Sequence, residues 1–144
     1  MAGPRQTVLD TLRAQLARRP EILDAYCFGS TARGEAAPHS DLDVAVYVDP
    51  QRLPPAPFGY AAELMAGLMA ELGCDRLDVV VLNDASPLLY HRVLRDGERL
   101  LSRDLAATTT REGRALSRYC DYLPQLRKID RELARRLAEG SFGR

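Results

Sequence analysis

The segment Phe28 to Val48 reads FGSTARGEAAPHSDLDVAVYV, and its residue types sit at spacings suited to phosphate and metal chemistry. Gly29 and Ser30 end one apolar stretch; after ten further residues, Asp41 and Asp43 open another. Carboxylates at i and i+2 on a strand project from the same face. Hard oxygen ligands of this kind hold Mg²⁺. Two such ions about 4 Å apart stabilise charge on the entering and leaving oxygens of a phosphoryl displacement. Glycine at position 29 allows a tight turn where a side chain would obstruct a phosphate. Ser30 adds a hydroxyl donor, and the N–H groups that follow would open a helix N-terminus, a natural anion site. Arg33, one turn beyond, carries a planar fork able to reach a phosphate. A third carboxylate from a neighbouring strand would complete the cage, and Asp78 in LDVVVL is the candidate on a strand of the right kind. The chemistry such a set suits is in-line displacement at a phosphorus atom, with charge building on the entering and leaving oxygens.

The elements that must position these groups alternate between helix and strand, which predicts an α/β or α+β fold. Arg5–Arg19 reads as a helix with Val8, Leu9, Leu12 and Leu16 on one face, stopped by Pro20. Strands are expected at Ile22–Phe28 and Leu42–Val48. In the second, period two places Asp41, Asp43 and Ala45 opposite Leu42, Val44 and Val46. The four prolines from Pro50 to Pro57 make a loop, either a stiff connection or a rim beside the site. Tyr60–Leu72 is helical by spacing and Gly73 is its C-cap. A strand at Leu77–Leu82 follows, then a helix started by Ser86-Pro87 and closed by Gly97. Glu98–Leu101 can add a short edge strand. From Asp104 onward the pattern is helical again, and Pro124 should kink or break it. The apolar residues from Leu116 to Leu137 read first as core, with a partner surface as the alternative. One domain over residues 1–144 is expected, with a core of about 5–103 and a C-terminal helical segment of about 104–139.

Composition narrows the function classes. Twenty basic and twenty acidic residues cancel, so no strongly basic nucleic-acid-binding tail is present and no direct nucleic-acid contact is expected. Cys27, Cys74 and Cys120 lack the spacing of a zinc site and read as small reduced core residues. No apolar run has the length of a signal peptide or a membrane span, so a cytoplasmic protein is the expectation. Neither a GxGxxG nor a Walker A loop occurs, which removes dinucleotide-dependent oxidoreductase and kinase readings.

The string GSTARGEAAPHSDLD resembles the active-site motif of the DNA polymerase β-like nucleotidyltransferases. More narrowly, it resembles the minimal nucleotidyltransferase antitoxins paired with HEPN-domain toxins. Pro87 to Asp104 (PLLYHRVLRDGERLLSRD) is similar to that group as well. The resemblance implies a nucleotidyltransferase fold, a short mixed β-sheet flanked by helices. It implies that Gly29 and Ser30 bind the triphosphate of ATP and that Asp41 and Asp43 hold two Mg²⁺ ions. Asp78 would be the third metal-binding carboxylate and would accept the hydroxyl proton. It further implies transfer of AMP to a tyrosine hydroxyl of a partner HEPN RNase toxin. Two other readings remain open: transfer to a small molecule of the aminoglycoside type, and a non-catalytic antitoxin that neutralises by binding.

Overall fold

A computed structural model describes residues 3–29 and 42–140. Its centre is a four-stranded sheet of β1 (Ile22–Phe28), β2 (Leu42–Val48), β3 (Leu77–Val81) and β4 (Glu98–Ser102) in the order β3-β2-β1-β4. β1 runs antiparallel to β2 and β4, whereas β2 and β3 are parallel. The parallel pair needs a crossover, supplied by α2 (Tyr60–Leu72). The sheet is therefore mixed, and β4 is the expected edge strand.

Helices cover both faces. On one, α1 (Pro4–Ala17) and α2 pack onto alternate residues of the strands: Leu9, Leu12 and Leu16 meet Cys27, Val44, Val46 and Leu68. Val8, placed by spacing on the α1 stripe, is largely exposed, because the buried face is set by the i, i+3, i+7 row of leucines. On the other face, α3 (Pro87–Asp96) and α4 (Leu105–Ala138) cover Tyr26, Ala45 and Val80.

Local chemistry accounts for most element ends. Ser86 accepts a hydrogen bond from the Leu89 N–H and Asp104 accepts from Ala106 and Ala107, so both helices on the second face start on side-chain caps. Gly73 closes α2 in the left-handed region at φ 63°. The carbonyls at the end of α1 are met from far along the chain. Arg103 donates to Ala17 O in the last turn of α1, to Arg19 O just beyond it and to Ile22 O at the start of β1, all at 2.8–3.0 Å; the first is a group that a helix C-terminus leaves open.

Three expectations are corrected here. Pro124 does not break the last helix; α4 runs through it for 34 residues. Pro124 is exposed, so the carbonyl that loses its N–H partner one turn back can turn to solvent. Cys120 is exposed and Cys74 partly so, leaving Cys27 as the core thiol. The apolar residues at the end of the chain are not core: Ile129, Leu133 and Leu137 are 49%, 40% and 62% exposed, because α4 is longer than the sheet it packs on.

Candidate active site

Parallel pairing of β2 with β3 brings Asp43 and Asp78 into register. Register partners on neighbouring strands lie about 4.8 Å apart with side chains on one face, so the two carboxylates form a pair at the start of both strands. Asp43 is half-buried and Asp78 exposed, as a pocket wall and its rim would be. Across the other neighbour, Asp43 is the register partner of Phe28, the last residue of β1.

Gly29 follows directly and turns with φ 79°. A Cβ built on it would overlap the Asp43 carboxylate, with Asp43 Cγ at 3.3 Å. Position 29 thus needs glycine twice, for its left-handed backbone and for the space the carboxylate occupies. The end of β1 is held from behind by Gly97, where a Cβ would approach Cys27 O at 3.1 Å and Phe28 Cβ at 3.4 Å. Burial pushes the Cys27 thiol up to about 11; Arg5 opposes this and Glu98 and Asp43 reinforce it. Cys27 is a protonated core residue, not a nucleophile.

Of the residues singled out in the sequence, Gly29, Asp43 and Asp78 are brought together at one end of the sheet. Ser30, Arg33 and Asp41 lie outside the described residues. Among those described, no cluster of three His, Cys, Asp or Glu side chains is assembled for a metal. Among the described residues the donor set at this end of the sheet consists of the carboxylate oxygens of Asp43 and Asp78, hard ligands that fit Mg²⁺.

The proline loop is a connection away from this site. It leaves β2 at Val48, five residues beyond Asp43, and borders a cavity of about 630 Å³ lined by Val48, Phe58, Tyr60, Val81 and Asn83. Asn83 ties that end of β2, accepting from Val48 N–H at 3.0 Å and donating to Val48 O at 2.8 Å.

A polar network behind the site escaped the reading of the sequence. Asp24 is fully buried on the second face of β1, and Arg111 of α4 pairs with both its oxygens at 2.7 and 2.8 Å. Thr108 donates to Asp24 at 2.6 Å. One residue pair further along β1, Tyr26 donates to Glu112 at 2.5 Å, and Glu112 also accepts from Arg99. Burial first, then the Glu112 contact, pushes the Tyr26 phenol far above its ordinary value. The alternation Asp24, Tyr26, Phe28 was a legible sign that these side chains share the face of Asp43. Their partners, some 85 residues away, were not. The rings of His91 and Tyr119 stack at 3.6 Å between α3 and α4, continuing the contact toward the site end.

Residues 10–106 match the family described as Polymerase beta, Nucleotidyltransferase, which is more than half of the chain. The chain belongs to this nucleotidyltransferase family. A curated relative, the protein adenylyltransferase MntA of Aphanizomenon flos-aquae, is 34% identical over 92 residues, covering 59% of this chain. That match spans 60% of the relative's own length. Among solved structures, a toxin–antitoxin crystallised with AMP-PNP superposes with a TM-score of 0.69 at 23% identity, over 88% of this chain and 98% of that one. A tri-AMPylated HEPN toxin of Shewanella oneidensis in complex with its MNT antitoxin gives 0.67 at 22% identity, over 90% and 98%. At such identities the likeness establishes the fold. This nucleotidyltransferase shares with them the mixed sheet flanked by helices. Among its described residues no helix is long and apolar enough to cross a membrane.

Proposed function

We propose that this nucleotidyltransferase transfers AMP from ATP to a tyrosine hydroxyl of a HEPN-domain RNase toxin and thereby acts as its antitoxin in the cytoplasm. The observation that carries the reading is the Asp43–Asp78 pair in register, with Gly29 turned against Asp43. The named activity of the MntA relative supports the choice of AMP and of a protein acceptor.

Gly29 keeps side-chain bulk away from the triphosphate, and Ser30 with the N–H groups after it would bind the phosphate oxygens. Arg33 would neutralise charge on the pyrophosphate as it leaves. Asp41, Asp43 and Asp78 would hold Mg²⁺, which when bound supplies positive charge against the entering and leaving oxygens. Asp78 is the more exposed of the described pair and would be open to an arriving acceptor. Its carboxylate takes the proton as the tyrosine oxygen bonds to the α-phosphorus. The bond from that phosphorus to the bridging oxygen breaks, and pyrophosphate departs with the electron pair.

The test is incubation of the purified protein with ATP labelled at the α-phosphate, Mg²⁺ and the HEPN-domain protein of the same source. Label on the HEPN protein with wild type and none with Asp43→Asn establishes the reading. Neutralisation of the RNase without label would instead establish the contact-only antitoxin. Label on an aminoglycoside alone would establish the small-molecule transferase.

A further inference from the structure

α4 runs in the direction of β1, and its contacts advance with it. Thr108 and Arg111 reach Asp24, and Glu112 reaches Tyr26. Each pair of strand residues rises about 6.6 Å, a little over four helical residues at about 1.5 Å each. Residue 116 is therefore level with Phe28, where β1 ends at the site. The helix continues to Ala138, about 33 Å farther at the same rise. This distal arm leaves the sheet at the carboxylate end and on the carboxylate face.

The apolar face of the arm points the same way as the face that packs on the sheet. Ala115, buried against the second face, is followed by Tyr119, Tyr122, Leu126, Ile129 and Leu133 at steps of 4, 3, 4, 3 and 4 residues. This is one continuous seam with the spacing of a helix–helix contact. It is covered as far as Tyr119 by His91 and becomes open beyond, where Ile129 and Leu133 are 49% and 40% exposed. The cations Arg127, Lys128 and Arg131 lie on the opposite side and are exposed. Pro124 also lies there, so any bend it causes is convex toward solvent and curls the seam inward. The arm's open apolar face lacks the tertiary packing from which most helical stability in proteins comes, which calls for a cover.

The geometry points to the distal half of α4 as the docking arm for the protein acceptor, which lays an apolar helix face or groove against Leu126, Ile129 and Leu133. The inference rests on the proposed transfer to a protein. An occupant of this seam sits at the end and on the face of the sheet that carry Gly29, Asp43 and Asp78, the side from which an acceptor hydroxyl can approach. A second copy of the chain in the same place would shield the carboxylates from any acceptor.

The experiment compares full-length wild type, Ile129→Asp/Leu133→Asp, the opposite-face control Lys128→Asp/Arg131→Asp, and Asp43→Asn. Binding to the HEPN-domain protein is read by sedimentation, AMP transfer by label, and helix content by circular dichroism. The seam variant is expected to keep its fold while losing at least about tenfold in binding and as much in labelling. The opposite-face control should retain both, and Asp43→Asn should bind without labelling. Unchanged binding by the seam variant overturns the docking arm. So does a wild-type dimer that the seam substitutions convert to a monomer with labelling intact. Wild type that binds through the seam without labelling would sink the transferase reading and leave the arm standing.

Discussion

Asp43 on β2 and Asp78 on β3 are register partners in the parallel pair of the sheet. Twenty-eight residues of loop and helix separate the end of β2 at Val48 from the start of β3 at Leu77, yet pairing returns the second carboxylate beside the first. The geometry that could hold a divalent cation is thus a property of strand register, and a one-residue slip would send Asp78 to the opposite face.

Asp78→Asn tests the chemistry with little structural disturbance. The side chain is exposed, so stability should stay within about 0.5 kcal/mol of wild type. AMP transfer should fall by about 100-fold or more. Normal transfer at an unchanged melting temperature would remove Asp78 from the site.

Gly29→Ala and Gly73→Ala separate backbone strain from crowding. Both glycines have positive φ, but only position 29 has a neighbour that a Cβ would strike. Each substitution should cost about 1–2 kcal/mol from the left-handed backbone. Gly29→Ala should additionally displace the Asp43 carboxylate and abolish transfer, while Gly73→Ala leaves transfer at the wild-type rate. Equal activities in the two variants would contradict the close packing of Gly29 on Asp43.

Arg111→Met should be strongly destabilising. It leaves Asp24 buried without its bidentate partner, and breaking such a pair costs about 3 kcal/mol or more. Asp24→Asn/Arg111→Met should recover part of that loss, because the uncompensated charge is gone. Urea midpoints of the two variants and wild type measure the difference.

Alkaline pH should weaken the fold in stages. The Cys27 thiol titrates near 9.0 when unfolded and at about 11 in the fold. Between these values the unfolded chain holds fewer protons, so unfolding becomes easier as pH rises. The thiol's contribution is complete below pH 9 and has gone by about pH 11, a loss of about 2–3 kcal/mol. Burial pushes Tyr26, Tyr60 and Tyr90 the same way from their ordinary value of 10.0, steepening the fall above it. Urea midpoints at pH 8 and pH 10.5 should therefore differ, and by less in Cys27→Ala. A flat profile would contradict a buried, protonated thiol.

Thiol labelling gives an independent reading of the same core. Cys120 is exposed and Cys27 buried, so a maleimide should modify Cys120 within minutes and Cys27 only on unfolding. Fast modification of all three cysteines would contradict the packing of β1 between α1 and Gly97.

The sequence by itself determined the elements and the kind of chemistry. The strands Ile22–Phe28 and Leu42–Val48 and the helix Tyr60–Leu72 stand where periodicity placed them, because apolar spacing and Gly, Pro and Ser boundaries are local properties of the chain. The placement of Gly29 at the end of β1 and of Asp43 and Asp78 near the starts of β2 and β3 was legible for the same reason: residue type and spacing along a strand set which face a side chain takes. Only the tertiary structure decided strand order, the Asp43–Asp78 register and the Asp24–Arg111 pair, since these join residues far apart in the chain that no local pattern links. It also decided the fate of the last apolar stripe. Spacing shows that a helix has an apolar face, but burial depends on whether anything lies opposite. Beyond Tyr119 the sheet has ended, and Ile129, Leu133 and Leu137 face outward.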